Sequence, residues 1–551
     1  MTGTQVLNLA RAIYSHAVSV PARPALVIGE RTYTYGALAD SASRVAAWVR
    51  SRCGDSGDAL AAPRVGILAA RSHQAYAGIL GVAWAGGAYV PLNPKQPAER
   101  LHSIIRQAGV TALVVDNRGA APLRELLDGW GDGTPPQVLL ADDATLPTTV
   151  ERVTPWGALE RMRGLASPAP VSADHPAYIL FTSGTTGVPK GVIIHAGALN
   201  CFLAALRSRY QLGPSDRVAQ FIELTFDPSV MELFGCWDAG AALHVVPETK
   251  VMAPGGFLRE REITFLACVP SLVAVMARLR QLSPGALPDL RVTIFGGEQL
   301  PLETTLLWRA AAPNSVIDNQ YGPTEATVAC LVQRIGVEAI QTPGRGTLAI
   351  GRPLPGMEAA IVGPDLRFLT TGESGELAVS GPQLAAGYVG DPAQTARRFP
   401  MLDHPRLGRS RWYLTGDLAC CDEKGQFHCL GRIDNQVKVM GHRVELEEIE
   451  AHLRAVAGTE AVAAIGWPSS NGNAAGVVAF VSGARVAPPD IREQMRRRVP
   501  AYMLPGRVLP LDELPLSVNG KVDRHALRKL LDEGVATGDA EGRRTVGTTA
   551  S

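Results

Sequence analysis

An apolar segment that runs directly into a loop rich in glycine and hydroxyl side chains is the strongest constraint in this sequence. Residues 178–191 read Tyr-Ile-Leu-Phe-Thr-Ser-Gly-Thr-Thr-Gly-Val-Pro-Lys-Gly. Glycines in such a loop can adopt positive φ and bring backbone N–H groups close to anionic oxygens, while the hydroxyls and the lysine add donors. The pattern predicts a phosphate-binding loop with a nucleoside triphosphate as ligand. The predicted contacts are Thr182, Ser183, Gly184, Thr185, Thr186, Gly187 and Lys190.

This loop differs from a Walker loop, in which glycine precedes the lysine and Ser or Thr follows it. Here Pro189 precedes Lys190 and Gly191 follows. A surface linker rich in Ser, Thr and Gly is the alternative interpretation, although linkers seldom follow an apolar strand so directly.

Length and charge narrow the class of protein. A chain of 551 residues suggests about two to four domains. With 53 basic and 52 acidic residues the net charge is +1, which gives no electrostatic signature for nucleic acid or an anionic membrane. The eight cysteines show neither a Cys-x-x-Cys pair nor a His-rich neighbourhood, so no zinc site or disulfide framework is expected. There is no signal-peptide core and no run of about 20 apolar residues. We therefore expect a cytoplasmic protein.

Alternating strand and helix patterns predict an α/β fold (α+β overall). We expect a large N-terminal body of mixed and parallel sheets with helices, plus a small mobile C-terminal α+β domain. Strands are predicted at 64–68, 112–115, 137–140 and 291–295, and helices at 37–52 and 74–83. Segments 117–136 and 141–172, rich in Gly, Asp, Thr and Pro, are predicted to be surface loops.

The pattern of predicted secondary structure changes near residue 434. A strand pattern at 436–440, a Gly-His turn and an acidic-fronted helix at 445–456 follow. We predict a large domain at 1–433 that holds the ATP and amino acid pocket, and a small mobile domain at 434–533. Residues 534–551 contain almost no bulky apolar side chain and are expected to be a disordered tail.

Further motifs lie on both sides of the phosphate loop and appear in a fixed order along the chain. They include Gly-Gly-Ala-Tyr-Val-Pro-Leu-Asn-Pro at 86–94, Asn-Gln-Tyr-Gly-Pro-Thr-Glu-Ala-Thr at 319–327, Tyr-Leu-Thr-Gly-Asp at 413–417 and Asn-Gly-Lys-Val-Asp-Arg at 519–524. With these motifs the chain resembles the ANL superfamily of adenylating enzymes from about residue 33 to residue 524. Within that superfamily it is most similar to the amino acid adenylation domains of non-ribosomal peptide synthetases.

The resemblance implies a ligase that uses ATP and Mg²⁺ in two steps. A substrate carboxylate attacks the α-phosphate of ATP and expels pyrophosphate, and the acyl group then passes to a phosphopantetheine thiol. The implied catalytic residues are Lys521, Thr324, Glu325 and Lys438, with Lys521 bridging carboxylate and nucleotide, Thr324 donating to the α-phosphate and Glu325 holding the metal. Lys521 could alternatively be an ordinary surface lysine in a turn.

The resemblance also implies a nucleotide site. Asp417 would accept both ribose hydroxyls with support from Arg432, Tyr321 would stack on adenine, and Asn319 would lie at the adenine edge. The remaining implied contacts are Gly297, Gly322 and Tyr413. A turn aspartate at 417 and a core aromatic at 321 are the alternatives.

Asp434 corresponds to the family's hinge, about which the small domain rotates between the two steps. Lys521 would then leave the site and the hairpin at 436–443 would enter it, with Gly441 allowing a pantetheine arm to approach. A simple turn aspartate is the alternative interpretation of Asp434.

The acid pocket is implied by position. Asp227 corresponds to the residue that pairs with a substrate ammonium group, although a helix N-cap before proline is the alternative. The other implied pocket residues are Pro228, Met231, Ala267, Ile294, Gly296, Gln320, Val328 and Ala329. Because this set contains no second charged side chain, we expect a small or medium neutral amino acid such as alanine.

No carrier-protein or condensation motif is found in the chain, so the enzyme is expected to stand alone and to load a separate carrier protein in natural-product biosynthesis. Two related hypotheses stay open: an acyl- or aryl-acid ligase for coenzyme A or a carrier, and an enzyme that activates a β-amino acid for a polyketide starter unit. A catalytically silent binding protein is a further alternative, which the many charged residues at motif positions disfavour.

Overall fold

The computed structural model describes residues 7–54, 62–131, 133–144, 152–184, 188–336, 339–470, 473–516 and 522–534. The predicted site residues Thr185, Thr186, Gly187 and Lys521 lie outside the described residues, as does the predicted tail beyond residue 534. Contacts divide the chain into two compact units. The first unit comprises Met1–Thr182 and Lys190–Asp434, and the second comprises Ser183–Pro189 and Asn435–Ser551.

Helices and strands alternate from the start of the described chain to the phosphate loop. In chain order they are α1 (Arg11–Ser19), β1 (Pro24–Ile28), β2 (Arg31–Thr34), α2 (Tyr35–Cys53), β3 (Arg64–Leu68), α3 (His73–Trp84), β4 (Ala88–Leu92), α4 (Ala98–Ala108), β5 (Ala112–Val115), α5 (Ala120–Asp128), β6 (Gln137–Leu140), β7 (Val153–Pro155) and β8 (Pro176–Thr182).

The alternation continues through the rest of the first unit. The elements are β9 (Lys190–His195), α6 (Ala196–Tyr210), β10 (Arg217–Gln220), α7 (Pro228–Asp238), β11 (Ala242–Val245), α8 (Gly255–Glu260), β12 (Phe265–Cys268), α9 (Pro270–Arg278), β13 (Val292–Phe295), α10 (Leu302–Ala311), β14 (Val316–Tyr321), β15 (Leu331–Arg334), β16 (Arg352–Pro353), β17 (Glu358–Val362), β18 (Ser374–Ser380), β19 (Gly387–Tyr388), α11 (Pro392–Arg398), β20 (Met401–His404), β21 (Gly408–Cys421) and β22 (Phe427–Arg432).

The second unit is smaller and is also mixed. Its elements are β23 (Val437–Val439), β24 (His442–Val444), α12 (Leu446–Ala457), β25 (Val462–Gly466), β26 (Ser469–Ser470), β27 (Asn473–Ala474), β28 (Val477–Val481), α13 (Pro488–Arg496), β29 (Arg507–Pro510) and α14 (Arg524–Asp532). Short 3₁₀ helices lie at Trp156–Arg161, Glu248–Lys250, Thr324–Ala326 and Ala501–Met503.

The first unit contains two long sheets with parallel centres. One has the strand order β16-β15-β14-β13-β12-β10-β11-β1-β2, and the other has the order β19-β9-β8-β4-β3-β5-β6-β7. Strands β10 to β14 pair in parallel where they are neighbours, and so do β3, β4, β5 and β6. Their side chains are buried on both faces, as helices on either side of a parallel sheet require.

These observations confirm the predicted fold class. Strands β3, β5 and β6 have the predicted limits, and β13 begins one residue later than predicted. Helices α2 and α3 cover the predicted helical segments and extend them at both ends. An antiparallel sheet with the order β17-β18-β21-β20, and with β22 paired to β21, completes the first unit.

The prediction that 117–136 is a surface loop is wrong. Helix α5 occupies its middle, and Leu123 and Leu126 are buried in the core that packs against β5 and β6. Their spacing of three residues places them on one helix face, but nearby glycines and prolines hid this signal. Segment 141–172 also contains structure, namely β7 and the 3₁₀ helix at Trp156–Arg161, and therefore corrects the second loop prediction.

The second unit has its own apolar core. Helix α12 contributes Ile449 and Leu453, and the antiparallel pair β25 and β28 contributes Val462 and Ala479. The predicted hairpin is present as β23 and β24, joined at Met440 and Gly441, both of which have positive φ. The predicted helix at 445–456 is α12, one residue later at each end. In the described part of the chain, no helix is long and apolar enough to cross a membrane.

Candidate active site

A polar cluster forms in the first unit where β14 ends near β21 and β22. Strands β21 and β22 pair so that Asp417 lies opposite Arg432. Arg432 Nη1 donates to Asp417 Oδ1 at 3.1 Å, and its Nη2 lies 2.5 Å from Asp434 Oδ2. The Tyr321 hydroxyl donates to the other oxygen of Asp417. The structure therefore brings together Tyr321, Asp417, Arg432 and Asp434, which the sequence singled out separately.

The geometry leaves acceptor capacity on Asp417. An ionised carboxylate offers about four lone-pair sites, and each Asp417 oxygen accepts one of the hydrogen bonds above. Two further donors, such as neighbouring hydroxyls of a sugar, can therefore be accommodated. Burial raises the pKa of the Tyr321 hydroxyl well above its ordinary value, and the adjacent Asp417 charge raises it further, so Tyr321 stays a hydrogen-bond donor at neutral pH.

Glu325 lies in the 3₁₀ helix Thr324–Ala326 and is 1% exposed. Its Oε1 accepts a hydrogen bond of 2.8 Å from the Tyr388 hydroxyl, and its backbone oxygen accepts one of 2.8 Å from the N–H of Ala385. Thr324, one residue earlier, is half-buried. A buried carboxylate held in this way presents hard oxygen atoms in a fixed orientation.

The Glu325 carboxylate suits Mg²⁺ better than it suits a metal ion that takes all of its ligands from the protein. Among the described residues, no group of three or more His, Cys, Asp or Glu side chains could hold a metal ion. Mg²⁺ usually takes one or two carboxylates and completes its shell with water and substrate phosphates. A single carboxylate such as Glu325 therefore suits an ion that arrives with a nucleotide.

Directly after Glu325 the chain makes a strained turn. Thr327 and Val328 have φ values of 56° and 71°, which β-branched residues rarely adopt. The Thr327 hydroxyl donates to the backbone oxygen of Gln383 at 2.6 Å, and the Gln383 side-chain amide donates to the oxygen of Ala329 at 2.9 Å. Gly322 packs against this turn, because a Cβ there would lie 2.5 Å from Ala329 Cα.

Asp227 stands at the N-cap position of α7 with Pro228 at the first helical position, yet its side chain makes no capping hydrogen bond. The carboxylate is half-buried and contributes, after burial and Tyr89, to raising the pKa of Tyr178 well above its ordinary value. It therefore lies within electrostatic range of Tyr178 on β8. Asp227 therefore occupies the N-cap position, but its side chain does not make the hydrogen bond to the helix N–H groups by which a cap stabilises a helix.

Most of the other predicted pocket residues share one side of the long sheet. Ala267 pairs with Ile294, and Ile294 pairs with Asp318, so Gln320, two residues further on, lies on the same face. Met231, Ala267, Ile294, Val328 and Ala329 belong to one buried apolar cluster.

Two polar details complete this face of the sheet. The Gln320 amide donates to the Tyr210 hydroxyl at 2.9 Å, and that hydroxyl donates to Asp318. Gly296 lies beside β14, because a Cβ there would be 3.2 Å from the oxygen of Gln320. The amide of Gln320 is thus oriented by a buried hydrogen-bond chain.

The remaining predicted nucleotide contacts of the first unit have varied surroundings. Asn319 is buried and donates to the oxygen of Ala349 at 2.8 Å. Tyr413 is 1% exposed, and its ring centroid lies 4.9 Å from that of Phe399. Gly297 is exposed with φ of 78°. Thr182 and Lys190 lie opposite each other on β8 and β9. The nucleotide contacts assigned to these residues stay predictions.

Ser183, Gly184 and Lys438 belong to the second unit. Lys438 lies on β23 opposite Arg443, whose backbone oxygen accepts a hydrogen bond of 2.9 Å from the Ser183 hydroxyl. The N–H of Gly184 donates to Glu448 Oε2 at 2.8 Å. An N–H that the sequence assigns to phosphate thus binds an anionic oxygen in the structure.

Sequence reasoning missed Gln383, Tyr388 and Arg411. They contact the turn at 327–329, Glu325 and the segment 381–388, respectively. The Gly-Pro dipeptide at 381–382 marks a turn, and Gly387 precedes Tyr388, but no local pattern shows that this segment packs on Glu325.

Residues 14–389 match the family model described as AMP-binding enzyme, so the chain belongs to that family. Tyrocidine synthase 3 of Brevibacillus parabrevis is 34% identical over 514 residues, which are 92% of this chain and 7% of that protein. Chondramide synthase cmdD of Chondromyces crocatus is 35% identical over 473 residues, which are 84% of this chain and 11% of that protein. The chain thus spans only a small part of these curated relatives.

Solved structures agree with this assignment. The Vibrio cholerae adenylation domain AlmE, crystallised in complex with glycyl-adenosine-5'-phosphate, matches with a TM-score of 0.82 at 29% identity. The match covers 97% of this chain and 98% of that one. IdnL7 matches with a TM-score of 0.70 at 34% identity, covering 96% and 99% of the two chains. The fold is that of an adenylation domain.

Proposed function

We propose that this chain uses ATP to activate the carboxyl group of a small or medium neutral amino acid and passes the aminoacyl group to the pantetheine thiol of a separate carrier protein. The observation that carries the amino acid assignment is the half-buried carboxylate of Asp227, which starts α7 without capping it. The similarity to AlmE, a domain crystallised with glycyl-adenosine-5'-phosphate, supports both the reaction and a small substrate.

In the first step an oxygen of the amino acid carboxylate bonds to the α-phosphorus of ATP. The bond from that phosphorus to the bridging oxygen breaks, and pyrophosphate leaves with the electron pair. Negative charge grows on the phosphate oxygens during this step, so nearby cations and hydroxyl donors accelerate it. We assign this role to Lys190, Thr324 and Lys521, and Mg²⁺ held by Glu325 would supply further charge neutralisation.

The nucleotide is positioned by the polar cluster. Asp417 accepts the two ribose hydroxyls, while Arg432 orients the Asp417 carboxylate through a hydrogen bond of 3.1 Å. The hydroxyl of Tyr321 is bonded to Asp417, which fixes the ring in place, and the face of this ring stacks on adenine. We assign Asn319, Gly322, Gly297 and Tyr413 to the surroundings of the same nucleotide.

Substrate choice follows from charge and volume. The Asp227 carboxylate pairs with the substrate ammonium, and an acid without an amino group leaves that charge unpaired at a cost of several kcal/mol. Met231, Ala267, Ile294, Val328 and Ala329 surround the side chain with apolar atoms. A charged substrate side chain would find no partner among these residues, so neutral side chains are selected.

In the second step the pantetheine sulfur attacks the carbonyl carbon of the aminoacyl adenylate, the carbon–oxygen bond to the phosphate breaks, and AMP leaves. The thiol proton leaves the sulfur and passes to solvent or to a nearby base. We assign Asp434 as the hinge between the two steps and Lys438, on the β23–β24 hairpin, to the second step.

ATP–pyrophosphate exchange with a panel of α-amino, β-amino, aryl and fatty acids tests this proposal. Exchange led by small neutral amino acids is expected. Exchange led by acids that lack an amino group would refute the role of Asp227 and favour the acyl- or aryl-acid alternative, and exchange led by β-amino acids would move the substrate class. Mass spectrometry of a phosphopantetheinylated carrier protein, with coenzyme A as the competing acceptor, tests the second step.

A further inference from the structure

The turn at Thr327–Ala329 is the most strained described segment near the proposed acid pocket. Two successive β-branched residues, Thr327 and Val328, have positive φ, and both are buried. Such conformations persist only where the surroundings hold them firmly, and they concentrate at functional sites. What holds this turn therefore also sets where Val328 and Ala329 present their side chains.

Gln383 holds the turn from both sides. Its backbone oxygen accepts the Thr327 hydroxyl at 2.6 Å, and its side-chain Nε2 donates to the oxygen of Ala329 at 2.9 Å. Gln383 and Thr327 are both 0% exposed. The side-chain Oε1 of Gln383 is buried without a hydrogen-bond partner among the described residues. Burying the Gln383 amide oxygen without a partner costs free energy. The hydrogen bond from the same amide to Ala329 therefore needs an explanation beyond packing.

The segment 381–388 is itself anchored. The Arg411 guanidinium donates to the oxygens of Ala385 and Ala386, each at 2.8 Å, and its carbon lies 4.3 Å from the ring centroid of Phe399. The segment is thus fixed to β21. Gln383 therefore lies in a segment that is bonded to β21 independently of the turn.

We propose that Gln383 is a specificity-determining residue that positions Val328 and Ala329 without touching the substrate. This inference rests on the proposed function, because it takes those two residues as part of the acid pocket wall. Loss of the Gln383 clamp lets the turn relax and moves the wall, so the pocket discriminates less sharply between side chains that differ by one or two carbons. Asp417 and Arg432 bond to each other and not to Gln383, so ribose binding by Asp417 does not depend directly on this clamp.

The test uses two kinds of substitution. Gln383→Met keeps the length of the side chain and removes the donor to Ala329. Thr327→Val keeps the shape and removes the hydroxyl donor, whereas Thr327→Ser keeps that donor. Gln494→Met, at an exposed position of α13 in the second unit, is the matched control.

The measurement is kcat/KM in ATP–pyrophosphate exchange for the best small amino acid and for one that is one or two carbons larger, together with the KM for ATP. Because one methylene in an apolar pocket is worth roughly 10–200-fold in discrimination, Gln383→Met and Thr327→Val are expected to lower the preference about tenfold. Thr327→Ser and Gln494→Met are expected to keep the wild-type ratio and a KM for ATP within about twofold of the wild type.

An unchanged ratio in both Gln383→Met and Thr327→Val would overturn the inference, as would an equal loss in Thr327→Ser. If Gln383→Met does not fold, the Thr327 pair decides alone. If the wild-type protein shows no amino acid-dependent exchange, the proposed function fails by itself. Hydrogen exchange at the Ala329 amide then still tests the clamp, because Gln383→Met must speed it and an unchanged rate refutes the clamp.

Discussion

At the scale of single residues, Asp227 carries the charge on which the proposed selection of amino acids depends. It begins α7, and Pro228 follows with a fixed φ that suits the first helical position. The carboxylate makes no capping bond, so its effect on the helix is limited to that of a negative charge at the helix N-terminus. Its charge also contributes to the raised pKa of Tyr178, a buried residue of β8.

Asp227→Asn is expected to lower kcat/KM for the amino acid substrate by roughly 100-fold or more, because an ammonium group then loses its counter-ion in a half-buried site. The measurement is ATP–pyrophosphate exchange with the amino acid and with the matching acid that lacks the amino group. The exposed Asp289→Asn serves as control. Equal preference for the amino acid in Asp227→Asn and in the wild type would contradict the ammonium pairing.

Tyr321→Phe is expected to raise the KM for ATP by about tenfold, because Asp417 loses a charge-assisted hydrogen bond that fixes its orientation. The ring remains, so its stacking surface is kept, and the KM for the amino acid should change little. Steady-state kinetics at varied ATP concentration checks this. Tyr14→Phe, a half-buried tyrosine of α1, is the control. A rise confined to the amino acid KM would show that the cluster does not bind the nucleotide.

At the scale of secondary-structure elements, Glu450 ties three elements of the second unit together. This residue of α12 accepts a hydrogen bond of 2.9 Å from the N–H of Ala464 on β25. It also accepts one of 2.7 Å from Arg524 Nη2, at the start of α14. Burial raises the pKa of Glu450, and Arg524 opposes that rise. The ion pair therefore anchors the helix that follows residue 521.

Arg524→Leu is expected to destabilise the second unit by about 2–4 kcal/mol, because it leaves a largely buried carboxylate without its counter-ion. Hydrogen exchange across Arg524–Asp532 should accelerate, and urea unfolding followed in the second unit should shift to lower denaturant. The exposed Arg528→Leu, on the same helix, should show neither effect. Similar behaviour of the two variants would mean that apolar packing alone holds α14.

The elements also show where local patterns are reliable. Strands β3, β5 and β6 are short apolar runs bounded by turn residues, and such runs reveal their limits directly. Helix α5 escaped prediction because only Leu123 and Leu126 mark its buried face strongly, within a segment rich in Gly and Asp. Its packing against β5 and β6 decides that it is a helix.

At the scale of the whole molecule, one buried and one partly buried histidine link stability to pH. Burial lowers the pKa of His73 and of His244 to about 4, and Arg261 and Arg217 contribute at His244. In the unfolded chain a histidine titrates near 6.5. Below that pH these histidines bind protons in the unfolded chain but stay neutral in the folded protein. The stability is therefore complete above about pH 6.5 and falls as the pH drops toward 4.

Each of these histidines is expected to contribute up to about 1.4 kcal/mol per pH unit to that fall. His73→Phe, which keeps an aromatic ring against Tyr33, should flatten the dependence of the first unit's unfolding free energy between pH 6.5 and 4.5. Urea unfolding at several pH values measures this slope. The exposed His525→Phe is the control and should retain the wild-type slope. An equally steep slope in His73→Phe would rule out its part in the acid sensitivity.

Local patterns along the chain were enough to predict the α/β class, the limits of several strands, the family and the positions of the proposed site residues. Each of these features is encoded by a few consecutive residues, because periodicity, turn chemistry and contiguous motifs act over short distances along the chain. This is why Tyr321, Glu325, Asp417 and Arg432 could be singled out before their contacts were known.

How those residues are held depends on contacts between distant parts of the chain. The Thr327 hydroxyl meets Gln383 across 56 positions of sequence, and Tyr388 meets Glu325 across 63. Such contacts depend on which strands become neighbours and on which faces pack together, and no local pattern encodes either. The strain at Thr327 and Val328 likewise exists only because a distant segment supports it, since an isolated turn of these residues would relax to negative φ.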